Sequence, residues 1–296
     1  MVDLTLPQHL SHPRRFEDNR FCYPVVSRRS KGLSLGVNLN PDKICNFDCV
    51  YCQVDRSPEA EPEVTFVETD RLFGEMEALV DEIRSGEIWT HPQFASVPAD
   101  RRRFNDIAFS GDGEPTSYKN FDEIIRRTAD LKRSRGLDQV KLVLISNASL
   151  FHRPVVQRGM SILDENQGEV WAKLDAGTAD YFEKVDRTRI PFQQVLDNLL
   201  LAAHVRPLVI QSLFMRLDGT PPSESEILEY CERLNTIKRH GGRLKLVQIY
   251  TVARRPAEDF VAPLAPEEVD AISETVRQRT GLTVESYYGG EAPPIS

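Results

Sequence analysis

The chain of 296 residues contains no apolar run approaching the roughly 20 residues that a helix needs to cross a bilayer. Its opening, Met1-Val2-Asp3-Leu4-Thr5-Leu6-Pro7, lacks a basic segment followed by an apolar core, so no secretory leader is expected and a cytoplasmic location is. Cysteine is scarce: five residues, too few and too unevenly spread for a disulfide framework. Positive charge is in deficit, with 37 Lys and Arg against 45 Asp and Glu, a net charge of −8. That balance argues against indiscriminate binding of nucleic acid, which normally shows a basic excess. It leaves room for local patches at Arg14, Arg15, Arg20, Arg28, Arg29 and Lys31, at Arg101-Arg102-Arg103, and at Arg254-Arg255, for each of which solvated surface is the default explanation. No internal repeat, low-complexity tract or linker divides the chain. What remains is an ordinary globular composition, 40% hydrophobic and 28% charged, on a chain long enough to bury a substantial core.

The distribution of the cysteines carries the signal. Three of them fall in Cys45-Asn46-Phe47-Asp48-Cys49-Val50-Tyr51-Cys52, spaced C-x3-C-x2-C, just after the apolar run Leu33 to Leu39. Thiolates this close repel one another unless a cation or a metal cluster stands between them, and such runs are how chains hold iron–sulfur clusters. Three thiolates bind three irons of a 4Fe–4S cubane and leave the fourth open, the condition for a substrate or cosubstrate to coordinate. A zinc site or an unrelated trio of buried thiols is the alternative; zinc sites usually pair C-x2-C units and need a fourth ligand, and no His or Cys follows closely after Cys52. Cys22 and Cys231 stand alone and read as a core thiol and a helix-face thiol.

Along the chain, short apolar strands alternate with amphipathic stretches. Strands are expected near 33–39, 106–110, 140–145, 170–174, 208–214 and 244–250, with an edge strand at 282–287. Helical spacing runs from Thr69-Asp70 through Leu72, Phe73, Met76, Leu79, Val80 and Ile83 to a stop at Gly86. Further helices are expected around Phe121 to Ala129, Pro154 to Met160, Val195 to Leu200, Ile227 to Leu234 and Val269 to Val276. Residues 1–32 show no periodicity and read as an irregular lead-in, with a core domain over 33–288 and a tail over 289–296. Strands alternating with helices mean βα units and a parallel sheet, the α/β class. Six units are too few for an eight-stranded barrel, and a doubly wound sheet stays open from the pattern alone.

The cysteine spacing, with Tyr51 just before the last cysteine, resembles the signature of the radical S-adenosylmethionine (radical SAM) superfamily. That resemblance implies a partial (βα)6 TIM-like barrel with parallel strands, in which Cys45, Cys49 and Cys52 hold a 4Fe–4S cluster. SAM binds the open iron, is cleaved by the reduced cluster to methionine and a deoxyadenosyl radical, and that radical abstracts hydrogen from substrate. In parallel α/β folds chemistry gathers at the carboxyl ends of strands, and the segments there match further. Ser110-Gly111-Asp112-Gly113-Glu114-Pro115 is similar to the "GGE" motif, with Asp112 in place of its first Gly. Gly111, Gly113 and Glu114 are thereby implied to receive the SAM amino group. Ser146-Asn147-Ala148-Ser149 resembles the Ser/Thr-Asn segment whose side chains approach the ribose, though a turn with a helix cap would look the same. In Lys173-Leu174-Asp175-Ala176, alternation puts Lys173 and Asp175 on one face, for which a ligand or a mutual ion pair would each give a reason. Asp175 is implied near ribose, Lys173 near SAM or substrate, and Tyr51 near adenine.

The segments Pro24 to Arg29, Ser34-Leu35-Gly36-Val37, Lys173 to Ala176 and Arg255-Pro256-Ala257-Glu258 resemble a subgroup, the iron–sulfur oxidoreductases related to wyosine-synthesising tRNA enzymes. Wyosine synthases carry extra cysteines ahead of the triad; only Cys22 precedes Cys45 here. The resemblance implies flavodoxin or ferredoxin as electron donor and an RNA base as substrate, with a small molecule or peptide as the alternative. Gln211, Arg216, Gln248, Tyr250 and Arg254 are candidates for the substrate pocket. From another class, a zinc-stabilised nucleic-acid-binding module would contain zinc and no labile sulfide.

Overall fold

A computed structural model of the chain describes residues 16–55 and 64–289. Arg14 and Arg15 of the first basic patch, the start of the lead-in and the tail beyond 289 lie outside the described residues. The chain divides into two compact units: Met1–Cys45, Arg56–Ile145 and Pro154–Glu169 in one, Asn46–Asp55, Ser146–Arg153 and Val170–Ser296 in the other.

In the first unit the strands run in the order β1 (Cys22–Ser27), β2 (Gly32–Val37), β3 (Phe104–Phe109) and β4 (Lys141–Ser146). β2, β3 and β4 are parallel, whereas β1 is antiparallel to β2. All six residues of β2 are buried, as a strand covered on both faces requires. β1 falls in the stretch expected to be irregular. Its strand state is set by pairing: Tyr23 sits opposite Gly36, where a Cβ would lie 2.5 Å from the tyrosine ring, so the glycine makes room for the aromatic. Helix α1 (Thr69–Ser85) buries the expected stripe and ends at Gly86, whose φ of 83° is the left-handed geometry that suits glycine. The same face carries Glu75, a buried carboxylate that accepts from the N–H groups of Arg20, Phe21 and Cys22 at 2.9, 2.8 and 3.1 Å. It thereby ties the entry of β1 to α1. Helices α2 (Phe121–Ser134) and α3 (Pro154–Asp164) pack together, and a Cβ on Gly159 would meet the Phe121 ring at 2.6 Å.

In the second unit the part of β5 (Gly168–Lys173) from Val170 on, β6 (Leu208–Leu213), β8 (Leu244–Tyr250) and β10 (Val284–Tyr287) are successive parallel neighbours. Between them lie α4 (Ala179–Asp186), α5 (Phe192–Val205), α6 (Glu224–Arg239) and α7 (Pro266–Thr280). α4 is absent from the helices expected above; its eight residues are too few for a clear period. Its start is fixed by Glu226 of α6, which accepts from Gly177 N–H, Thr178 N–H and Thr178 Oγ1 at 2.5, 3.3 and 2.6 Å. A two-residue antiparallel ladder, β7 (Arg216–Leu217) with β9 (Val261–Ala262), closes the connections after β6 and β8. Cys231, expected on a helix face, is 2% exposed: α6 turns that face into the core.

Candidate active site

In the first unit the loops leaving β2 and β3 are knitted by one asparagine. Asn38 Oδ1 accepts from the N–H groups of Asn40 and Asp112 at 3.0 and 3.1 Å, and its Nδ2 donates to Asp112 Oδ2 at 2.6 Å. Asp112, the departure from the glycine motif, is thus the partner of Asn38. Gly111 must lack a side chain, since a Cβ there would fall 2.2 Å from Asn38 Oδ1. At Gly113 a Cβ would fall 2.4 Å from the carbonyl oxygen of Ile44, the residue before Cys45, and 2.8 Å from Asn40. Glu114 is buried; its Oε1 accepts from Thr116 N–H and Oγ1 at 3.1 and 2.5 Å. Ser117 Oγ donates to the Glu114 carbonyl at 2.7 Å and accepts from Asn40 Nδ2 at 3.1 Å. With that hydroxyl proton committed, the orientation of the Asn40 amide is set. Its Oδ1 is buried and has no hydrogen-bond partner among the described residues.

In the second unit Cys49 is buried and Cys52 half-buried, with Cys52 N–H donating to Cys49 O at 2.9 Å. Cys45, in the first unit, is half-buried. Tyr51 is buried; its hydroxyl donates to Asp175 Oδ2, while Asp175 Oδ1 accepts from Leu213 N–H at 2.7 Å. Lys173 Nζ stands 5.3 Å from the centre of the Tyr51 ring, within cation–π range. Burial by itself presses the Lys173 pKa down, but Tyr250, Cys49, Asp175 and Cys52 outweigh it and the net direction is upward. Burial raises the pKa of Asp175, against the opposing pull of Lys173 and the bonds from Leu213 and Tyr51. Cys49 Sγ donates to Asp186 Oδ1 at 3.3 Å, and burial, then Asp186, hold its thiol well above the ordinary range. The strand exit at Lys173 to Asp175 therefore presents a cation–carboxylate pair to the C-x2-C turn.

Ser146 and Asn147 belong to a turn in which Ala148 takes a φ of 60°. Asn147 Oδ1 accepts from Ser149 N–H and Oγ, at 3.1 and 2.6 Å. Its Nδ2 donates to Asn46 Oδ1 at 2.8 Å, and Asn46 Nδ2 donates to Ser149 Oγ at 2.7 Å. The turn expected to face a ribose is thus bonded to the residue after Cys45. Among the substrate-pocket candidates, Gln211 and Gln248 are buried register partners, Gln211 Nε2 donating to Gln248 Oε1 at 2.8 Å, and Arg216 is paired with Glu268 at 2.6 Å. Asn38 and Asn40 in the first unit, and Asn46, Asp186 and Arg187 in the second, bond to the predicted loops and were not singled out by sequence reasoning. Asparagines beside a cysteine motif could have drawn notice; Asp186 and Arg187 lie more than a hundred residues away with no local signal.

A profile of the radical SAM superfamily matches residues 39–216, more than half of the chain. The chain belongs to that superfamily. It is a radical SAM enzyme, a class whose cofactors are a 4Fe–4S cluster and SAM and whose reaction needs an electron donor. Membership carries the fold class expected from the sequence, α/β with a partial (βα)6 barrel. Among curated proteins, a GTPase Obg of Brachyspira hyodysenteriae is 25% identical over 260 residues, 86% of this chain and 33% of that protein. A UPF0026 protein of Helicobacter pylori (strain J99) is 26% identical over 250 residues, 83% of this chain and 69% of that one. The chain thus spans about a third of the length of the first relative. The crystal structure of archaeal TYW1 is 15% identical, with a TM-score of 0.47 over 85% of this chain and 73% of that one. No helix among the described residues is long and apolar enough to cross a membrane. Among the described residues no group of three or more His, Cys, Asp or Glu side chains is gathered so as to hold a metal ion.

Proposed function

We propose that Cys45, Cys49 and Cys52 hold the 4Fe–4S cluster and that the enzyme acts on an RNA base. The bound cofactors supply reductive cleavage of SAM and a hydrogen-abstracting radical; the chain's own residues bind, orient and exclude water. Gly111, Gly113 and Glu114 receive the amino group of SAM, Ser146, Asn147 and Asp175 steady its ribose, and Tyr51 lies against adenine. Lys173, tied electrostatically to Asp175 and Cys49, compensates negative charge at the cysteine turn. Residues 33–288 act as the catalytic core.

The observation that carries this reading is the contact of Tyr51, inside the C-x2-C turn, with the Asp175 carboxylate and the Lys173 ammonium. A second supports the amino-group site. Asn40 Oδ1 is a buried acceptor without a donor among the described residues, next to the cradle that a Gly113 Cβ would fill. An ammonium group is the donor that such an atom lacks. RNA as substrate rests on the subgroup resemblance and the arginine patches, flavodoxin or ferredoxin as donor on the need for one electron, and a cytoplasmic location on the free thiols.

Anaerobically purified protein should contain iron and acid-labile sulfide, and the Cys49→Ala variant should contain neither in stoichiometric amount and cleave no SAM. Zinc without sulfide in the wild type, or SAM cleavage by the variant, would overturn the ligand assignment. Incubating reduced enzyme with SAM and separated RNA, peptide and metabolite fractions, and following mass change, tests the substrate class.

A further inference from the structure

The segment bearing Cys49 and Cys52 is bonded to the end of α4 by the chain itself. Asp48 N–H donates to Asp186 O at 3.1 Å and Val50 N–H to Val185 O at 2.9 Å. Thr188 Oγ1 donates to Asn46 O at 2.9 Å. Arg187 stands at the centre of this contact. Its Nε donates to Asp48 O at 2.8 Å, its Nη2 lies 3.2 Å from Asp48 Oδ2, and its Nη1 donates to Glu258 Oε1 at 2.5 Å. One planar guanidinium thus serves a backbone carbonyl and two carboxylates, an arrangement a lysine cannot reproduce.

The backbone of Arg187 is itself unusual. Its φ of 42° is left-handed, a conformation costly for a residue with a Cβ and expected to be held by its surroundings. A glycine would end α4 there with less strain, so the side chain has to justify the position. Glu258 belongs to Arg255-Pro256-Ala257-Glu258, a segment to which the proposed function gives no role.

We propose that Glu258, Arg187 and Asp48 form a latch that positions Cys49 and Cys52 before any metal arrives, with Arg187 and Glu258 as positioning residues. This rests on the reading of those cysteines as cluster ligands. The second and third thiols are then held on a preformed turn, and a metal meets them without first having to order the segment.

The guanidinium can be removed without opening a core cavity, since the side chains of Arg187 and Glu258 are 35% and 31% exposed. Arg187→Gly keeps the left-handed turn and deletes only the side chain; Glu258→Gln keeps size and deletes the charge. Amide hydrogen exchange on metal-free protein should show Asp48 and Val50 protected in the wild type. Both variants should lose that protection by about tenfold, the factor that one charge-assisted hydrogen bond commands. In anaerobically reconstituted protein, a chelator should bleach the iron–sulfur absorbance about tenfold faster in Arg187→Gly, with Arg187→Lys intermediate. The reduced-cluster electron paramagnetic resonance signal should broaden in Arg187→Gly and recover partly in Arg187→Lys. Unchanged exchange at Asp48 and Val50 in both variants would overturn the latch, and lost protection with wild-type bleaching and resonance would overturn its role in positioning. Should the wild type take up no iron, the cluster reading fails, while exchange in the metal-free chain still judges the latch.

Discussion

Replacing Gly113 by alanine isolates a single steric demand in the β3 exit loop. A Cβ there would lie 2.4 Å from the Ile44 carbonyl oxygen and 2.8 Å from two atoms of Asn40. An ordinary carbon–oxygen contact is about 3.3 Å, so the Ile44 carbonyl has to retreat by roughly 1 Å. It is backbone, adjacent to Cys45, and cannot swing aside as a side-chain tip would. Overpacking of this kind costs about 1–3 kcal/mol, or about 2–10 °C in melting temperature for a chain of this size. The same retreat shifts Cys45 and the turn at Glu114, so iron content and SAM affinity should fall with stability. Gly74 supplies the control: it lies in α1 with nothing within 4 Å of its added Cβ, and alanine there should be neutral or stabilising by up to about 1 kcal/mol. Thermal melts, iron and sulfide analysis and equilibrium SAM binding on both variants decide the matter. A Gly113→Ala protein that melts with Gly74→Ala and keeps wild-type iron and SAM binding would refute the steric argument.

Two further outcomes follow from buried carboxylates. Glu75→Ala removes the acceptor of three backbone N–H groups, those of Phe21 and Cys22 being buried, and should cost about 3–5 kcal/mol in urea denaturation; a loss under about 1 kcal/mol would show that the β1 entry does not depend on it. Asp106, at the amino end of β3, is raised by burial to about 6 against the lowering bonds from Ser34 and Ser30. The folded chain therefore holds a proton that the unfolded chain releases. The stabilisation this gives is complete below about pH 4 and is lost as pH rises through about 6, a change on the order of 3 kcal/mol. Asp106→Asn should flatten that part of the stability–pH curve, and an unchanged slope would exclude Asp106 as its source.

The parts of the chain that could be read in advance are those whose signal is local. The α1 stripe from Leu72 to Ile83 repeats at helical spacing and stops at Gly86, and β2 is a continuous apolar run. The parts that could not be read are made by partners distant in sequence. β1 is a strand because Tyr23 fits over Gly36 and Glu75 caps its entry, neither visible in a segment containing Pro24. Asp112 looked like a lapse in a glycine motif until Asn38, 74 residues earlier, proved to bond it. Asp186 and Arg187 close a helix too short to show a period, and their bonds reach back 137 and 139 residues to Cys49 and Asp48. Sequence pattern reports which residues repeat along an element. It is silent on which single polar side chain crosses to another.

The small ladder of β7 and β9 gives Glu258 a fixed mooring. Val261 N–H donates to Glu258 O at 3.2 Å, and Asp218 N–H to Phe260 O at 3.0 Å, so the acid sits three residues from an anchored rung. Under the latch proposed above, damage to the Arg216–Thr220 hairpin would loosen Glu258 and, through Arg187, the turn that carries Cys49 and Cys52, so a lesion far along the chain would mimic a defect in that turn.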